Sequence, residues 1–297
     1  MAASLRLWSA YLLVKAVKAM TSLIGREGTS LPGALALRVM PRALKGVRSR
    51  LATVVMVTGT NGKTTTTRIL ADIARESGFR VITNSLGANL KQGITTALLD
   101  SLPEMNKKNN KEAIAIIEVD EATLPKVIED LQPQSVIVTN FFRDQMDRYA
   151  ELDHVVATVK RALDSVSTKR VLNADDPLTR SLGEKDSEFF GLSPECGEKN
   201  ENEKSENAEN VLDGQTCKIC GERLNYSVRF YGQLGDYKCS CGFSRPSPKV
   251  EGKNLILSSE GYGFEALGIE AKIGSPGRYN VYNALAAMAG ATAMGWP

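Results

Sequence analysis

Residues 54–73, VVMVTGTNGKTTTTRILADI, place a glycine-rich turn between two segments of different character. The apolar and β-branched residues before the turn predict a buried strand, and the residues after it predict a helix. Glycines at positions 59 and 62 allow backbone angles that other residues resist, and they let the main chain approach a ligand closely. Because backbone N–H groups at a helix N-terminus bind phosphate oxygens, this arrangement predicts a phosphate-binding loop.

The positions within this loop predict distinct roles in binding ATP. We expect Lys63 to reach the terminal phosphates and the Thr64 hydroxyl to coordinate magnesium. The spacing is GxxGKT rather than the common GxxxxGK[ST], because Val57 stands where the earlier glycine would be. The ATP-binding residues predicted in this loop are consecutive: Gly59, Thr60, Asn61, Gly62, Lys63, Thr64 and Thr65.

Strand and helix patterns alternate from residue 51 to about residue 190. Several of the segments between strands are long enough to form helices. Parallel strands need crossovers of this kind, so the pattern predicts an α/β fold with a mainly parallel sheet covered on both faces. Ligands in such folds bind at the carboxyl ends of the strands. The predicted strands are 51–58, 79–84, 112–120, 133–141 and 169–176.

Composition divides the chain into a short first region and a longer second one. Residues 1–50 are predicted to form a basic helical segment, and residues 51–297 an ATP-binding domain. Within that domain, residues 191–212 are rich in Glu, Asn and Lys and predict a polar linker. Residues 213–250 contain four of the five cysteines and predict an inserted metal-binding module.

The cysteine spacing in this insertion predicts a zinc ribbon. Cys217 and Cys220 form a CxxC pair, and Cys239 and Cys241 form a CxC pair after eighteen intervening residues. Four thiolates on two turns can close a tetrahedron around zinc, and such a closed site is structural because it leaves no position for water. We expect Cys196, in the predicted linker, to take no part.

The N-terminal segment is basic, since residues 1–50 carry nine Lys or Arg and one acid, Glu27. Its apolar stretch at residues 5–25 is interrupted by charges, and its longest uncharged run is too short to span a membrane. A targeting peptide is an alternative, but no clear small-residue cleavage site follows. We therefore expect a cytoplasmic protein whose first helix packs on the domain or rests on the anionic inner face of the membrane.

Five motifs resemble the Mur ligase family, the ATP-dependent amide-forming enzymes of peptidoglycan assembly. The stretch TGTNGKTTT resembles the family's ATP loop, and IIEVDE places Glu118 at a strand end, where the family holds a magnesium-binding glutamate. The resemblance implies a phosphate-loop central domain of the Mur ligase type. The remaining motifs follow in the expected order: TNFFRDQMDRY at 139–149, VLNADDP at 171–177 and GRYNVYNALAA at 277–287.

The resemblance also implies roles for single residues. Lys63 and Glu118 are expected to be catalytic, with magnesium bound by Thr64 and Glu118. Further ATP-binding residues are Asn173, Asp175, Asn280 and Asn283, the last two in the adenine pocket. A candidate site segment comprises Glu121, Asn140, Arg143, Asp144 and Arg148.

One position departs from the family pattern. Gln145 stands where many Mur ligases have a histidine that assists a second magnesium. Lys160 lies roughly where several members carry a carbamylated lysine. Without the histidine, we expect Lys160 to be an ordinary solvated residue of a helix.

A cysteine ribbon inserted into a Mur-type core resembles the MurT group, the ATPase subunits of lipid II isoglutaminyl synthase. The segment GTSLPG at 28–33 is similar to that group as well. The resemblance implies ATP-dependent amidation of the D-glutamate α-carboxylate of lipid II, with ammonia from a GatD-type glutaminase in a heterodimer. The family's C-terminal domain is expected to be absent from this sequence, which ends at Pro297.

Two other functions stay open at the level of sequence. One is an amino-acid ligase of the Mur or folylpolyglutamate type, and the other is a non-catalytic, zinc-containing nucleotide-binding module. The basic and aromatic residues of the ribbon would suit nucleic acid. Acids are interspersed among them and no dense basic stripe is present, so we expect no nucleic-acid partner.

Overall fold

The chain folds into two sheets flanked by helices, and the computed structural model describes residues 2–23, 30–84, 87–107, 112–142, 149–199 and 214–297. Within these ranges the strands are β1 (Thr53–Thr58), β2 (Arg80–Thr83), β3 (Ala113–Glu118), β4 (Ser135–Val138), β5 (Lys169–Asn173), β6 (Glu188–Leu192), β7 (Glu198–Lys199), β8 (Asn225–Tyr231), β9 (Leu234–Lys238), β10 (Val250–Ser258), β11 (Gly261–Ala266) and β12 (Ile269–Ile273). The helices are α1 (Ala2–Leu23), α2 (Ser30–Val39), α3 (Ala43–Arg48), α4 (Lys63–Glu76), α5 (Lys91–Asp100), α6 (Leu102–Met105), α7 (Leu124–Leu131), α8 (Tyr149–Asp164), α9 (Pro177–Arg180) and α10 (Arg278–Ala293).

The central sheet has nine strands in the order β12-β11-β10-β6-β5-β4-β1-β3-β2. Every pair from β2 across to β10 is parallel, and β11 and β12 continue the sheet with antiparallel pairs. The predicted α/β fold with a mainly parallel sheet is confirmed. The five predicted strands correspond to β1 to β5.

Strand β1 shows why the sheet is covered on both faces. Successive side chains of a strand point to opposite faces. Val54 and Met56 accordingly join one apolar core, and Val55 and Val57 join the other, with all four fully buried. The second core is closed by α4 and α10, which pack against each other beside the strand ends. The phosphate loop therefore begins at the end of the most deeply buried part of the sheet.

The N-terminal segment is helical, as predicted, and belongs to the first of these cores. Helix α1 buries Leu7, Ala10 and Val14 against the domain. Lys15 and Lys18 on the same helix pair with Asp100 at the end of α5, at 3.0 and 2.5 Å. Among the residues that the structure describes, no helix has both the length and the apolar character that crossing a membrane requires.

The first residues of the predicted polar linker belong to regular structure. Residue 191 belongs to β6, which pairs in parallel with β5 and β10 and ends at Leu192. A 3-10 helix at Pro194–Cys196 and strand β7 follow before residue 200. The composition of the polar stretch concealed this strand, because the burial of Phe190 and Leu192 depends on strands distant in sequence. Residues 200–212 of the predicted linker lie outside the described residues.

Candidate nucleotide-binding site and cysteine metal centre

The predicted phosphate loop lies between β1 and α4, at the carboxyl edge of the sheet. Gly59 and Gly62 have φ angles of 119° and 85°, in the region that favours glycine. A side chain would also collide at either position, since a Cβ at Gly59 would lie 2.4 Å from Thr139 Oγ1 and one at Gly62 1.9 Å from Asn283 Oδ1. Both glycines are therefore required by backbone geometry and by space, and α4 begins directly after the second one.

Lys63 folds back over the loop. Its Nζ donates hydrogen bonds to the carbonyl oxygens of Gly59, at 2.5 Å, and of Thr60, at 3.2 Å. The same ammonium lies 3.5 Å from the Glu121 carboxylate. The lysine is held by protein acceptors inside the curve of the loop, where its charge is available to anionic phosphate oxygens.

Thr64 and Glu118 meet at the predicted magnesium site. Thr64 Oγ1 donates a hydrogen bond of 2.7 Å to Glu118 Oε2, and the second carboxylate oxygen accepts from Asn89 Nδ2 at 3.4 Å. The main chain of Glu118 is fixed by Asn84, which donates to its carbonyl oxygen and accepts from its N–H. Hydroxyl, carboxylate and amide oxygens are the ligands that magnesium prefers, so this donor set fits the ion.

Residues 139–142, the segment after β4, form hydrogen bonds to the main chain and side chains of the phosphate loop. Asn140 donates from Nδ2 to the Asn61 carbonyl and accepts from the Asn61 N–H, each at 3.1 Å. Its own carbonyl accepts the N–H of Thr60 at 2.9 Å. Thr139 Oγ1 donates to the Asn61 carbonyl at 2.7 Å. Of the candidate site segment, Arg143, Asp144 and Arg148 lie outside the described residues, as does Gln145.

The two asparagines assigned to the adenine pocket lie at the start of α10. Asn283 is the side chain against which Gly62 packs, and its Nδ2 approaches Asn280 Oδ1 at 3.4 Å. Asn280 in turn donates to the Pro276 carbonyl at 2.9 Å. The structure thus brings α10 directly onto the phosphate loop, although 217 residues separate Thr66 from its acceptor, the Asn283 carbonyl.

The carboxylate of Asp175, which was predicted to bind ATP, forms hydrogen bonds to other groups of the protein. Its carboxylate is fully buried and accepts from Arg245 Nε at 2.6 Å, Tyr282 Oη at 2.7 Å and the Leu192 N–H at 2.8 Å. Burial raises the pKa of this carboxyl, while the charge of Arg245 opposes the rise. Asp175 thus joins the cysteine insertion to β6 and α10, and its contact with ATP stays a prediction. Asn173 is also fully buried and donates to the Thr139 carbonyl at 3.1 Å.

Asp176, the residue after Asp175, bonds the segment after β4 that contacts the phosphate loop. It accepts from the Phe141 N–H at 2.8 Å, and from the Leu178 N–H and Gln233 Nε2 at 3.0 Å each. The Leu178 contact caps α9. Burial raises the pKa of Asp176 to about 6, because desolvation outweighs these hydrogen bonds.

The four cysteines of the insertion converge. Their sulfurs all lie within 4.8 Å of one another, with Cys217 and Cys241 at 3.5 Å and Cys220 and Cys239 at 3.4 Å. Zinc–sulfur bonds of about 2.3 Å would place the sulfurs of a tetrahedron about 3.8 Å apart, so the cluster could hold one metal ion. A hydrogen bond from the Cys241 backbone lowers the pKa of the Cys239 thiol to about 7, which favours the ligating thiolate.

Two residues that the sequence analysis left outside these centres lie away from them. Cys196 stays apart from the cluster, half-buried with its sulfur 3.7 Å from the Gly252 carbonyl. Lys160 pairs with Asp164 on the exposed face of α8 at 3.5 Å. Sequence reasoning missed Asn84, Asn89 and Gln233. Asn84 offered a signal, because it is the last residue of the predicted second strand.

A phosphate loop at the carboxyl edge of a parallel sheet, with an acid at the neighbouring strand end, defines a nucleotide-binding α/β protein. The family model of the Mur ligase middle domain matches residues 57–237. The chain therefore belongs to the Mur ligase family.

Within the Mur ligase family, the chain is similar to curated MurT subunits over most of its length. The chain is 34% identical, over 95% of its length, to the glutamine-hydrolysing lipid II isoglutaminyl synthase subunit MurT of Staphylococcus aureus (strain N315). It is 36% identical, over 92% of its length, to the MurT subunit of Streptococcus pneumoniae (strain ATCC BAA-255 / R6). The matched parts make up 62% and 60% of those proteins, so the chain spans about three-fifths of their length.

Solved structures agree on the fold. A pseudomurein peptide ligase type C from Methanothermus fervidus superposes with a TM-score of 0.65 and 25% identity, over 89% of this chain and 53% of that one. MurF ligase from Thermotoga maritima, solved in complex with ADP, gives a TM-score of 0.53 and 16% identity, over 86% and 49% of the two chains. The second likeness supports the fold alone.

Proposed function

We propose that this chain is the ATP-binding part of an enzyme that amidates the D-glutamate α-carboxylate of the lipid II stem peptide to D-isoglutamine. The observation that carries the proposal is the hydrogen bond of 2.7 Å between Thr64 and Glu118. It connects the phosphate loop to an acid at the end of β3, which neighbours β1 in the sheet. It occurs in a chain that is similar to MurT proteins over nearly its whole length.

The proposed reaction has two steps. A carboxylate oxygen of the substrate attacks the γ-phosphorus of ATP, giving an acyl phosphate and ADP. The nitrogen lone pair of ammonia then attacks the carbonyl carbon, phosphate leaves with the bonding pair, and the nitrogen loses a proton. Activation is needed because a carboxylate oxygen is a poor leaving group, whereas phosphate leaves readily.

The residues of the loop fit the charge that builds up in the first step. Lys63 can exchange its carbonyl acceptors for phosphate oxygens and neutralise charge on the transferring group. Main-chain N–H groups at the start of α4 orient the phosphates. Magnesium, held by Thr64 and Glu118, would supply additional positive charge. Asn89 and Glu121 lie close enough to these groups to steer them.

Zinc is the metal that best matches the cysteine centre. Four thiolates favour zinc over the hard cations, and a closed set of four sulfurs favours a structural over a catalytic site. Among the described residues of the insertion, Tyr226, Phe230, Tyr237 and Phe243 are buried and Tyr231 alone is an exposed ring, so the aromatic residues offer no continuous stacking surface for nucleic acid. We therefore assign the module a structural role in a protein without a nucleic-acid partner.

The partner and the membrane contact are parts of the same proposal. The relatives are subunits of a glutamine-hydrolysing synthase, which suggests a GatD-type glutaminase as ammonia source and lipid II as substrate. The outer face of α1 exposes Leu5, Leu12, Met20 and Leu23, opposite its buried face. With Arg6 and Lys15 beside it, this apolar face suits a cytoplasmic protein at the inner, anionic membrane surface.

The test of the proposed function is the acceptor. The chain is incubated with ATP, magnesium, lipid II and a GatD-type glutaminase, and the products are read by mass spectrometry against parallel reactions with ammonia and with a panel of amino acids. We expect ADP release and isoglutamine formation with glutamine or ammonia. Ligation of an amino acid instead would favour the other class of Mur ligase, and an absence of nucleotide binding would refute both.

The membrane contact has its own test. We expect the chain to co-sediment with phosphatidylglycerol vesicles and not with neutral phosphatidylcholine vesicles. Leu12→Asp should weaken the binding, because it places a charge at the centre of the apolar face. Equal binding to both kinds of vesicle would contradict an electrostatic contact.

A further inference from the structure

The turn between β8 and β9 inserts one polar side chain into the body of the domain. Gln233 is 2% exposed, and its Nε2 donates to the Phe141 carbonyl at 2.5 Å and to Asp176 Oδ1 at 3.0 Å. Both amide donors of this buried side chain are thereby used. A buried amide that lost such partners would carry a desolvation penalty, so the turn and the segment after β4 are held together.

The acceptors of Gln233 are themselves connected. Asp176 Oδ2 accepts the Phe141 N–H at 2.8 Å, so Phe141 is held at both its N–H and its carbonyl oxygen. The next residue, Phe142, lies edge-on to Tyr231 with ring centroids 5.8 Å apart. The turn of the cysteine module thus contacts two consecutive residues of the segment after β4.

That segment is the support of the phosphate loop. The Phe142 N–H donates to Thr60 Oγ1 at 3.2 Å, and the Asn140 carbonyl accepts the Thr60 N–H at 2.9 Å. Asn140 and Thr139 make the bonds to Asn61 described above. Phe141, which Gln233 contacts, therefore lies directly between the two residues that bond Thr60. Phosphate binding by main-chain N–H groups depends on their orientation, so small shifts of this segment reach the nucleotide.

The module that carries Gln233 has little core of its own. Its apolar cluster contains six buried residues, two of which are metal-site cysteines: Cys217, Leu224, Tyr226, Tyr237, Cys239 and Phe243. Units of this size usually need a metal to fold, and ligation energy contributes to their folding free energy. Val228, Phe230 and Leu234 of the hairpin pack into the second core of the domain, so metal occupancy should determine how firmly the β8–β9 turn is held and not whether the hairpin folds.

We propose that Gln233 is a positioning residue for the nucleotide site and that metal in the cysteine cluster acts on nucleotide affinity through it. This inference rests on the proposed ATP binding at the phosphate loop. It assigns the inserted module a purpose within the reaction: the module fixes the segment that orients Thr60 and Asn61. Without the metal, the β8–β9 turn is held less firmly against Phe141 and Phe142, and the orientation of Thr60 and Asn61 becomes less fixed.

The experiment compares three variants in the presence and absence of a zinc chelator. Gln233→Ala removes the side chain, Gln233→Met keeps its length without the donors, and Ser227→Ala is the control. Ser227 lies on β8 and bonds only within the hairpin, to Asp236, in the described part of the chain. Affinity for a fluorescent ADP analogue, zinc content and thermal unfolding without nucleotide are measured for each.

Gln233→Met loses both buried hydrogen bonds, and we expect it to bind the nucleotide about tenfold more weakly, with zinc content close to wild type and a melting temperature lowered by a few degrees. Gln233→Ala should behave the same or worse, and Ser227→Ala should be unchanged. Chelation should weaken binding by the wild type more than binding by the Gln233 variants, because the variants have already lost the connection.

Two results would overturn the inference: unchanged affinity in Gln233→Met, or unchanged affinity of the chelated wild type after its zinc has been removed. A lower melting temperature with unchanged affinity would show a purely structural residue and would equally count against it. If the untreated wild type binds no nucleotide, the proposed function fails, which is a separate outcome.

Discussion

The phosphate loop and the cysteine module are both built on tight turns, but they hold their shapes by different means. The loop follows β1, an interior strand of the nine-stranded sheet that is buried on both faces. The module has two strands of its own, β8 and β9, and a cluster of six buried residues, and it packs Val228, Phe230 and Leu234 into the second core of the domain. The loop's geometry therefore comes from the protein core, whereas the module's geometry should depend on its metal.

The two regions meet at residues 175–176, and each uses a different carboxylate there. Asp175 pairs with Arg245 of the module, and Asp176 bonds the backbone of Phe141 beneath the loop. Tyr237 adds a bond from the module to the Ala174 carbonyl at 3.0 Å. Together with the contacts of Gln233 and Tyr231 at Phe141 and Phe142, this junction should carry the effect of a change in one region to the other, and the following predictions test how far the two are separate.

The largest effect is expected from Cys217→Ser. Removing one of four thiolates should abolish tight zinc binding, and structural zinc sites contribute on the order of 10 kcal/mol to the folding of such modules. We expect near-zero zinc by colorimetric assay and loss of protection in residues 214–249 by hydrogen exchange, with the nine-stranded sheet retained. Cys196→Ser, outside the cluster, is the matched control. Full zinc content in Cys217→Ser would contradict the assignment.

The second effect, on the loop, comes from Gly62→Ala. The new methyl group would meet Asn283 Oδ1 and impose a positive φ on alanine, together costing about 3 kcal/mol of unfolding free energy. Gly78→Ala separates the two causes, because Gly78 has a similar φ of 91° and nothing within 4 Å of its Cβ position. Equal losses in urea denaturation of both variants would show that the collision with Asn283 is unimportant.

The sequence predicted the features that depend on local patterns and missed those that depend on contacts between residues distant in the chain. The loop, the first five strands and the cysteine set are written in short local patterns, such as GTNGKT and CxxC, and were found from them. Gln233 was missed because its partner Phe141 lies 92 residues away. The contacts of Asp175 within the protein were not foreseen for the same reason: Arg245 and Tyr282, which bond its carboxylate, are 70 and 107 residues distant.

Lys63→Ala should act on binding more than on folding. Its ammonium is expected to contact phosphate oxygens, and a charged hydrogen bond contributes about 1.5–3 kcal/mol, so nucleotide affinity should fall about 10- to 150-fold. Calorimetric titration with ADP and magnesium measures this fall. Lys91→Ala, at the start of α5 beside Asp130, controls for loss of a charge. Zinc content should not change, and an affinity equal to that of the control would remove Lys63 from the site.

The smallest effect is a pH dependence at the junction. Burial raises the pKa of Asp176 from its ordinary 3.8 to about 6, so between these pH values the folded protein binds more protons at this carboxyl than the unfolded chain. The free energy of unfolding should therefore fall as pH rises through this window, by about 1 kcal/mol between pH 5 and 7.

Asp175 is buried nearby and also has a raised pKa, so the informative quantity is the difference in slope between wild type and Asp176→Asn. The variant should be less stable at every pH, because an amide cannot accept all three hydrogen bonds, but it should lack this share of the slope. Asp236→Asn, on β9, should keep the wild-type slope. Parallel curves for wild type and Asp176→Asn would mean that hydrogen bonds from Phe141, Leu178 and Gln233 outweigh desolvation, and that the junction carries a permanent charge.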